Sequence, residues 1–203
     1  MKRCPRLFLA AFAAAAFTGC TTHSPTPACC GKPEAPGAFT DKSIYQTESH
    51  WTTDQQKQIK LSALAGYPQV VAMFFANCQF ACPIIVNDMK RIEAALPAAL
   101  RDRVRFTLVT FDTQRDTPAA LAQYRQAHNL PLAHWALLHS QPDDVQELAL
   151  LLGLKFKADA NGQFSHSNVI TILNAQGEIV HQQIGLNQDI KESVRLLQQL
   201  TAK

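Results

Sequence analysis

The sequence lacks the motifs and the charge pattern of several large protein classes. It contains no Walker-type glycine loop, no dinucleotide-binding fingerprint and no internal repeat. Three of its nineteen lysines and arginines lie within residues 1–19, which leaves sixteen basic against sixteen acidic residues. No basic stripe with interleaved aromatic residues is visible. These absences argue against a protein that binds nucleotides or nucleic acid.

The first 19 residues have the pattern of an export signal. Lys2, Arg3 and Arg6 precede an apolar run at 7–17 that is too short to span a bilayer. The following Cys20 completes a Phe-Thr-Gly-Cys sequence that resembles the bacterial lipobox, in which this cysteine is lipidated. We therefore expect an exported protein, lipid-anchored at Cys20 in the cell envelope and facing the periplasm. Simple cleavage near the same place is the alternative.

Composition divides the rest of the chain into two parts. Residues 20–42 are rich in proline, glycine and small polar side chains, which predicts a flexible tether. Residues 43–203 are long enough to form one domain with a substantial core.

Cysteine is scarce in the predicted domain. Of the six cysteines, Cys4 and Cys20 belong to the leader region and Cys29 and Cys30 to the tether, so that the domain holds the pair Cys78 and Cys82. One close pair does not make a disulfide-stapled scaffold, even in an oxidising compartment. The pair is therefore expected to serve reactivity or to bind a ligand.

The order of apolar patterns in the domain predicts an α/β fold. Strands are indicated at 70–75, 104–111 and 135–138, helices at 83–96, 118–128, 145–152 and 190–200, and a hairpin at 169–183. A βαβ unit followed by a hairpin and a helix, with cysteines at the first strand-to-helix junction, is typical of the thioredoxin-like fold. We expect a central mixed sheet flanked by helices, with an inserted βα segment and an N-terminal hairpin extension within 44–61.

The position of Cys78 and Cys82 at this junction leaves two chemistries open. A helix N-terminus favours the thiolate and lowers the pKa of a cysteine placed there. If the segment is helical, residues four apart lie on one face, close enough to share a soft metal ion or to form a disulfide. His166 stands among small polar neighbours and is a candidate third ligand; a histidine hydrogen-bonded to backbone at the start of the hairpin is the alternative.

Three segments, in order, resemble the Sco/SenC family. Residues 70–83 look like its strand followed by C-x-x-x-C-P, residues 111–118 like its D-P-x-R-D-T-P stretch, and residues 164–167 like its D-H-S segment. The chain departs from the family pattern at three positions, where it has Gln79, Thr113 and Ser165. None of these departures removes a proposed ligand.

The resemblance implies a copper-binding metallochaperone that supports assembly of the dinuclear copper centre of cytochrome c oxidase. It implies Cys78, Cys82 and His166 as ligands for Cu(I), with Cu(II) left open. The implied partner is the copper-centre subunit of the oxidase or another copper protein, and thioredoxin-like reductants are a second partner class.

Two other functions use the same thiols. The first is a membrane-tethered thiol:disulfide reductase in which Cys78 and Cys82 form the redox pair. The second is a thiol peroxidase, which the absence of a P-x-x-x-T-x-x-C motif disfavours.

Several further residues have two interpretations. Asp112, Arg115 and Asp116 face the site or a partner, or else Arg115 pairs with a neighbouring carboxylate and the segment caps the next helix. Adjacent Cys29 and Cys30 in the tether either capture copper or are inert. Four large side chains are expected to be core residues and not ligands or partner contacts, namely Met73, Met89, Trp51 and Trp135.

Overall fold

The computed structural model describes residues 39–160 and 163–202. Its strands are β1 His50–Thr53, β2 Gln58–Lys60, β3 Gln69–Phe74, β4 Arg105–Thr110, β5 Trp135–His139, β6 Phe156–Ala158, β7 Phe164–His166, β8 Val169–Leu173 and β9 Ile179–Ile184. Its α-helices are α1 Ala81–Ala95, α2 Ala98–Arg101, α3 Pro118–Ala127, α4 Pro142–Leu151 and α5 Lys191–Thr201. The predicted leader, Cys20 and the pair Cys29 and Cys30 lie outside the described residues.

Seven strands form one mixed sheet in the order β2-β1-β5-β4-β3-β8-β9. The central strands β3, β4 and β5 are parallel, whereas β1, β2, β8 and β9 pair antiparallel with their neighbours. Helix α1 packs against β3, β8 and α5, and α3 packs against β5. The predicted thioredoxin-like architecture is confirmed, including the N-terminal hairpin, which β1 and β2 form.

Strand β3 lies at the centre of the core. All six of its residues are buried, as expected for a parallel strand covered on both faces. Met73 and Met89 are buried in the same core, as are Trp51 and Trp135. These four side chains therefore pack the interior, as the sequence predicted.

Residues 169–184 form the predicted hairpin, and its turn depends on glycine. Gly177 adopts a φ of 82°, and a Cβ atom there would lie 2.5 Å from the ring of Tyr45. Both the left-handed backbone and the close ring favour a residue without a side chain.

Two features of the fold were not visible in the sequence. Strands β6 and β7 form a separate two-stranded sheet, and each is only three residues long. Strands this short produce no readable period in the sequence. Contacts with the domain also begin earlier than residue 43, since the ring of Phe39 packs edge-on against Tyr45 at 5.5 Å and Thr40 donates a hydrogen bond to Glu178.

Within 39–160 and 163–202, no helix is long and apolar enough to cross a membrane.

Candidate metal centre

The two cysteines lie at the carboxyl end of β3, where the chain turns into α1. Cys78 precedes the helix and lies in a turn, where its own backbone N–H donates a hydrogen bond to the carbonyl oxygen of Phe75 at 3.2 Å. Cys82 is the second residue of α1, and its N–H donates to the Cys78 sulfur at 3.3 Å. The Cys78 sulfur thus caps a helix that has no side-chain cap from Phe80. The pair is therefore close because Cys78 sits over the helix end, and not because both residues share a helix face.

The two thiols have opposite environments. Burial by itself would raise the pKa of Cys78, but backbone hydrogen bonds from Cys82, Phe80 and Ala81, together with the Cys82 side chain, outweigh it and lower this pKa. Burial raises the pKa of Cys82, and the neighbouring Cys78 raises it further, against a backbone hydrogen bond at Phe75. The junction therefore favours the thiolate at Cys78 alone.

His166 reaches the thiol pair from β7. Its Nε2 lies 3.7 Å from the Cys82 sulfur, although the two residues are 84 positions apart in the chain. Its Nδ1 lies 3.1 Å from the carbonyl oxygen of Ser167, which can only accept a hydrogen bond. When Nδ1–H donates to that oxygen, the neutral ring keeps the Nε2 lone pair free on the side of the sulfurs.

One ligand atom from each of Cys78, Cys82 and His166 lies within 4.8 Å of the other two. In the part of the chain that the structure describes, this is the single group of three or more such donors. The structure therefore brings together the three residues that the resemblance implied. His50, His128, His134, His139 and His181 do not join this group.

Aromatic rings form a wall around the imidazole. The ring of Phe111 lies 5.1 Å from the His166 ring, and Phe75 meets the same ring edge-on at 6.3 Å. Phe164 packs on both phenylalanines, and Phe156 stacks on Phe111 at 5.2 Å. Because Phe156 and His166 are paired across β6 and β7, these rings attach the small sheet to the end of the main one.

The sequence reasoning did not identify this wall. Phe111 belongs to one of the Sco/SenC-like segments, and Phe156 lies in none of them. The sequence feature that could have indicated the wall is the presence of aromatic residues at the ends of predicted strands. This feature does not by itself show which rings are in contact.

The loop after β4 is tied to the thiol-bearing loop through Asp116. This buried carboxylate accepts hydrogen bonds from the Thr110 hydroxyl at 2.6 Å and from the backbone N–H of Ala76 at 2.8 Å. Burial raises its pKa, although these two hydrogen bonds oppose the shift. Asp116 therefore holds the turn that leads into Cys78.

Asp112 and Arg115 form an ion pair beside the aromatic wall. The carboxylate of Asp112 accepts from the backbone N–H of Arg115 at 3.2 Å and pairs with its guanidinium group. That group also lies 5.9 Å above the ring of Phe164. The next helix is capped by the Thr117 side chain, as one of the two sequence interpretations expected.

Tyr124 of α3 is a further residue near the thiols, and no motif in the sequence marks it. It is 8% exposed, packs against Phe74 with ring centroids 5.0 Å apart, and its hydroxyl has no hydrogen-bond partner among the described residues. Burial raises its pKa, and the nearby Cys82, Cys78 and Asp116 raise it further. A buried phenol thus lies in the electrostatic field of the site.

The chain is similar to known proteins in both sequence and fold. The family model described as SCO1/SenC matches residues 39–202. A curated protein from Stutzerimonas stutzeri, named for copper binding, is 28% identical over 144 residues, which are 68% of this chain and 68% of that protein.

Two solved structures share the fold at low identity. A SCO1/SenC family lipoprotein from Bacillus anthracis has a TM-score of 0.70 at 20% identity, with 82% of this chain and 100% of that one covered. Copper-bound ScoI from Bradyrhizobium japonicum has a TM-score of 0.61 at 19% identity, with 75% and 96% covered.

Proposed function

The chain belongs to the SCO1/SenC family, and from this premise we propose that it is a metallochaperone that holds Cu(I) through Cys78, Cys82 and His166. The observation that carries the proposal is the convergence of two sulfurs and one imidazole nitrogen within 4.8 Å. The relatives named for copper support the choice of metal.

The donor set suits Cu(I) better than zinc. Thiolates and imidazole are the ligands that soft Cu(I) prefers, whereas a structural zinc ion normally takes four protein ligands. Cys78 supplies a thiolate readily because its pKa is lowered. Cys82 must lose its proton when the metal binds, so binding releases a proton and weakens in acid.

The proposed cargo has to leave again. Cys78 and His166 are partly exposed, so an incoming thiol can replace the ligands one at a time. We propose that the recipient is the copper-centre subunit of cytochrome c oxidase or another copper protein. We also propose that the chain is exported and anchored through a lipid on Cys20 at the periplasmic side, which the lipoprotein relative supports.

An anaerobic Cu(I) titration against a competing chelator tests the ligand set. The full chain is used with Cys4, Cys20, Cys29 and Cys30 replaced by serine, which leaves the proposed pair as its cysteines. We refer to this protein as the four-serine chain.

We expect one tightly bound Cu(I) in the reduced four-serine chain, and weaker binding in Cys78→Ser, Cys82→Ser and His166→Ala. His50→Ala is the matched control, because His50 is an exposed histidine on β1. Binding that is indifferent to His166 would rule out the three-ligand site.

The contrast between the two thiols also favours a second function, thiol:disulfide reduction. The Cys78 thiolate would attack a partner disulfide, form a mixed disulfide and release one partner thiolate, which takes up a proton. Cys82, once deprotonated, would attack the Cys78 sulfur, release the second partner thiol and leave a Cys78–Cys82 disulfide. A thioredoxin-like reductant would restore the pair.

His166→Ala separates the two functions. Reduction of a disulfide needs both thiols but no imidazole ligand. If the chain is a reductase, either cysteine substitution should abolish disulfide reduction, and His166→Ala should have little effect. Copper binding expects all three substitutions to matter.

A further inference from the structure

Access to the thiol pair is one-sided. Cys82 is 1% exposed, whereas Cys78 is partly exposed at the protein surface. The imidazole of His166 and its aromatic neighbours Phe75 and Phe111 stand beside Cys82. Of the two cysteine ligands, Cys78 is therefore the one that a partner thiol can reach first.

Phe80 stands at this approach. It is 83% exposed, more than any other large apolar side chain of the described residues. Its backbone N–H hydrogen-bonds to the Cys78 sulfur, so the residue lies next to the sulfur that a partner must reach, and its ring is open to solvent. Single exposed apolar residues are ordinary on protein surfaces, and it is this position that distinguishes Phe80.

The neighbours of Phe80 in the sequence indicate the chemistry of the partner. Residues 75–87 contain no charged side chain, so this loop and the first turns of α1 present an uncharged surface. Recognition there rests on burial of apolar area and backbone contacts, and is expected to depend little on salt.

We propose that Phe80 is the docking residue for a thiol-bearing polypeptide that carries an apolar side chain beside its cysteine. This inference rests on the proposed function and names the class of partner for the same site. Burial of the Phe80 ring against the partner brings the partner thiol over Cys78.

Transfer then proceeds without a change in the oxidation state of copper. The partner thiol loses its proton as it forms a bond to Cu(I), and Cys78 takes up a proton as its own bond to Cu(I) breaks. A second partner thiol displaces Cys82 in the same way, and the bond between Cu(I) and Nε2 of His166 breaks as the metal leaves on the two partner sulfurs.

Two synthetic peptides test the proposal. Both carry Cys-x-x-x-Cys, one with leucine beside each cysteine and the other with serine. The rate of Cu(I) transfer to each is measured by stopped flow from the loaded four-serine chain and from its variants, at low and at high salt.

We expect the leucine peptide to be faster by about tenfold, a difference of about 1.4 kcal/mol in the barrier. Phe80→Ala should abolish this advantage at either salt concentration and leave Cu(I) affinity unchanged, since alanine keeps the backbone N–H. Phe80→Leu should retain most of it.

Leu132→Ala is the matched control. Leu132 is 61% exposed and lies just before β5, whose first residue, Trp135, pairs with Phe106 near the start of β4. It is therefore at the opposite end of the parallel strands from the cysteines and should not alter the rates.

If the leucine peptide received Cu(I) faster than the serine peptide by the same factor from Phe80→Ala as from the parent chain, the inference about Phe80 would be overturned. The proposed metal site would not be affected by that result. Failure of the parent chain to bind Cu(I) would instead overturn the proposed function. The same peptides in disulfide form would then test Phe80 through their rates of reduction.

Discussion

Replacement of Phe111 by leucine is expected to weaken copper binding through His166 without touching a ligand. The Phe111 ring lies 5.1 Å from the His166 ring and 4.9 Å from Phe164, stacks on Phe156 at 5.2 Å and lies 5.5 Å from Phe75. Leucine keeps an apolar side chain in this buried position but cannot make ring contacts. The imidazole then keeps its hydrogen bond to Ser167 but loses the nearest wall that limits its rotation.

The structure sets the size of the expected fall in stability and of the expected fall in Cu(I) affinity. Aromatic pairs contribute about 0.5–1.5 kcal/mol each beyond the area they bury. Loss of the two closest ring contacts, with Phe164 and His166, predicts a fall of about 1–3 kcal/mol in the free energy of unfolding. Changes to groups that orient a metal-binding histidine lower metal affinity by about 10–100-fold, and we expect about tenfold here because the Ser167 hydrogen bond remains.

A double-mutant cycle measures the coupling. Cu(I) affinity is determined by chelator competition and stability by urea unfolding, for Phe111→Leu, His166→Ala and the double variant in the four-serine chain. If Phe111 acts by positioning His166, its effect on affinity should vanish once His166 is alanine. An equal fall in affinity in both backgrounds would refute the reasoning.

Phe106→Leu controls for a general loss of stability. Phe106 is buried on the same strand, β4, and stacks on Trp135 with ring centroids 5.0 Å apart. Its replacement removes one ring contact, which predicts a fall of about 0.5–1.5 kcal/mol in the free energy of unfolding, and should leave Cu(I) affinity unchanged.

Three further outcomes follow from the described contacts. Because its pKa is lowered, Cys78 should be alkylated by iodoacetamide faster than the buried Cys82, whose pKa is raised, at every pH between 6 and about 8.5; peptide mapping that showed equal rates would contradict this. Asp54→Ala should cost about 3–5 kcal/mol in urea unfolding, since it leaves Arg125 buried without its partner at 2.7 Å. Burial by itself would raise the pKa of Asp54, but the Arg125 hydrogen bond and the other interactions outweigh it and lower this pKa. The stabilisation is therefore present above about pH 4 and is lost as the pH falls further. In Asp54→Ala, the free energy of unfolding should fall less steeply with pH below about pH 4. Tyr124→Phe removes a buried hydroxyl that has no hydrogen-bond partner within 39–160 and 163–202, and should leave stability unchanged or raise it by about 1 kcal/mol. A clear loss of stability in thermal unfolding would show that the hydroxyl is hydrogen-bonded.

Much of the fold could be predicted from local pattern. The continuous apolar run of β3, the proline at the start of α3 and the Asn174–Gly177 turn each encode an element through its nearest neighbours in the chain. The short strands β6 and β7 could not be predicted in this way, because their position depends on rings supplied by other segments and not on their own period.

The candidate site divides in the same way. The position of Cys78 and Cys82 after a buried strand and at a helix start is a property of the local sequence, and it alone predicted reactive or ligand-binding thiols. The sequence did not predict that the two thiols differ. Cys82 enters the core with the first turn of α1, whereas Cys78 remains outside as the cap of the helix, so burial acts on one sulfur and backbone donors act on the other.

The amino-acid sequence by itself therefore determined the fold class, the order of its elements and the junction that carries the cysteines, because these follow from periodicity and chain direction. Only the tertiary structure decided that His166, 84 residues from Cys82, lies beside the Cys82 sulfur, and that the ring of Phe111 lies against its imidazole. It also decided that Phe80 borders the open side. Distances between remote residues, burial and access depend on how the sheet and helices pack together, which no local pattern records.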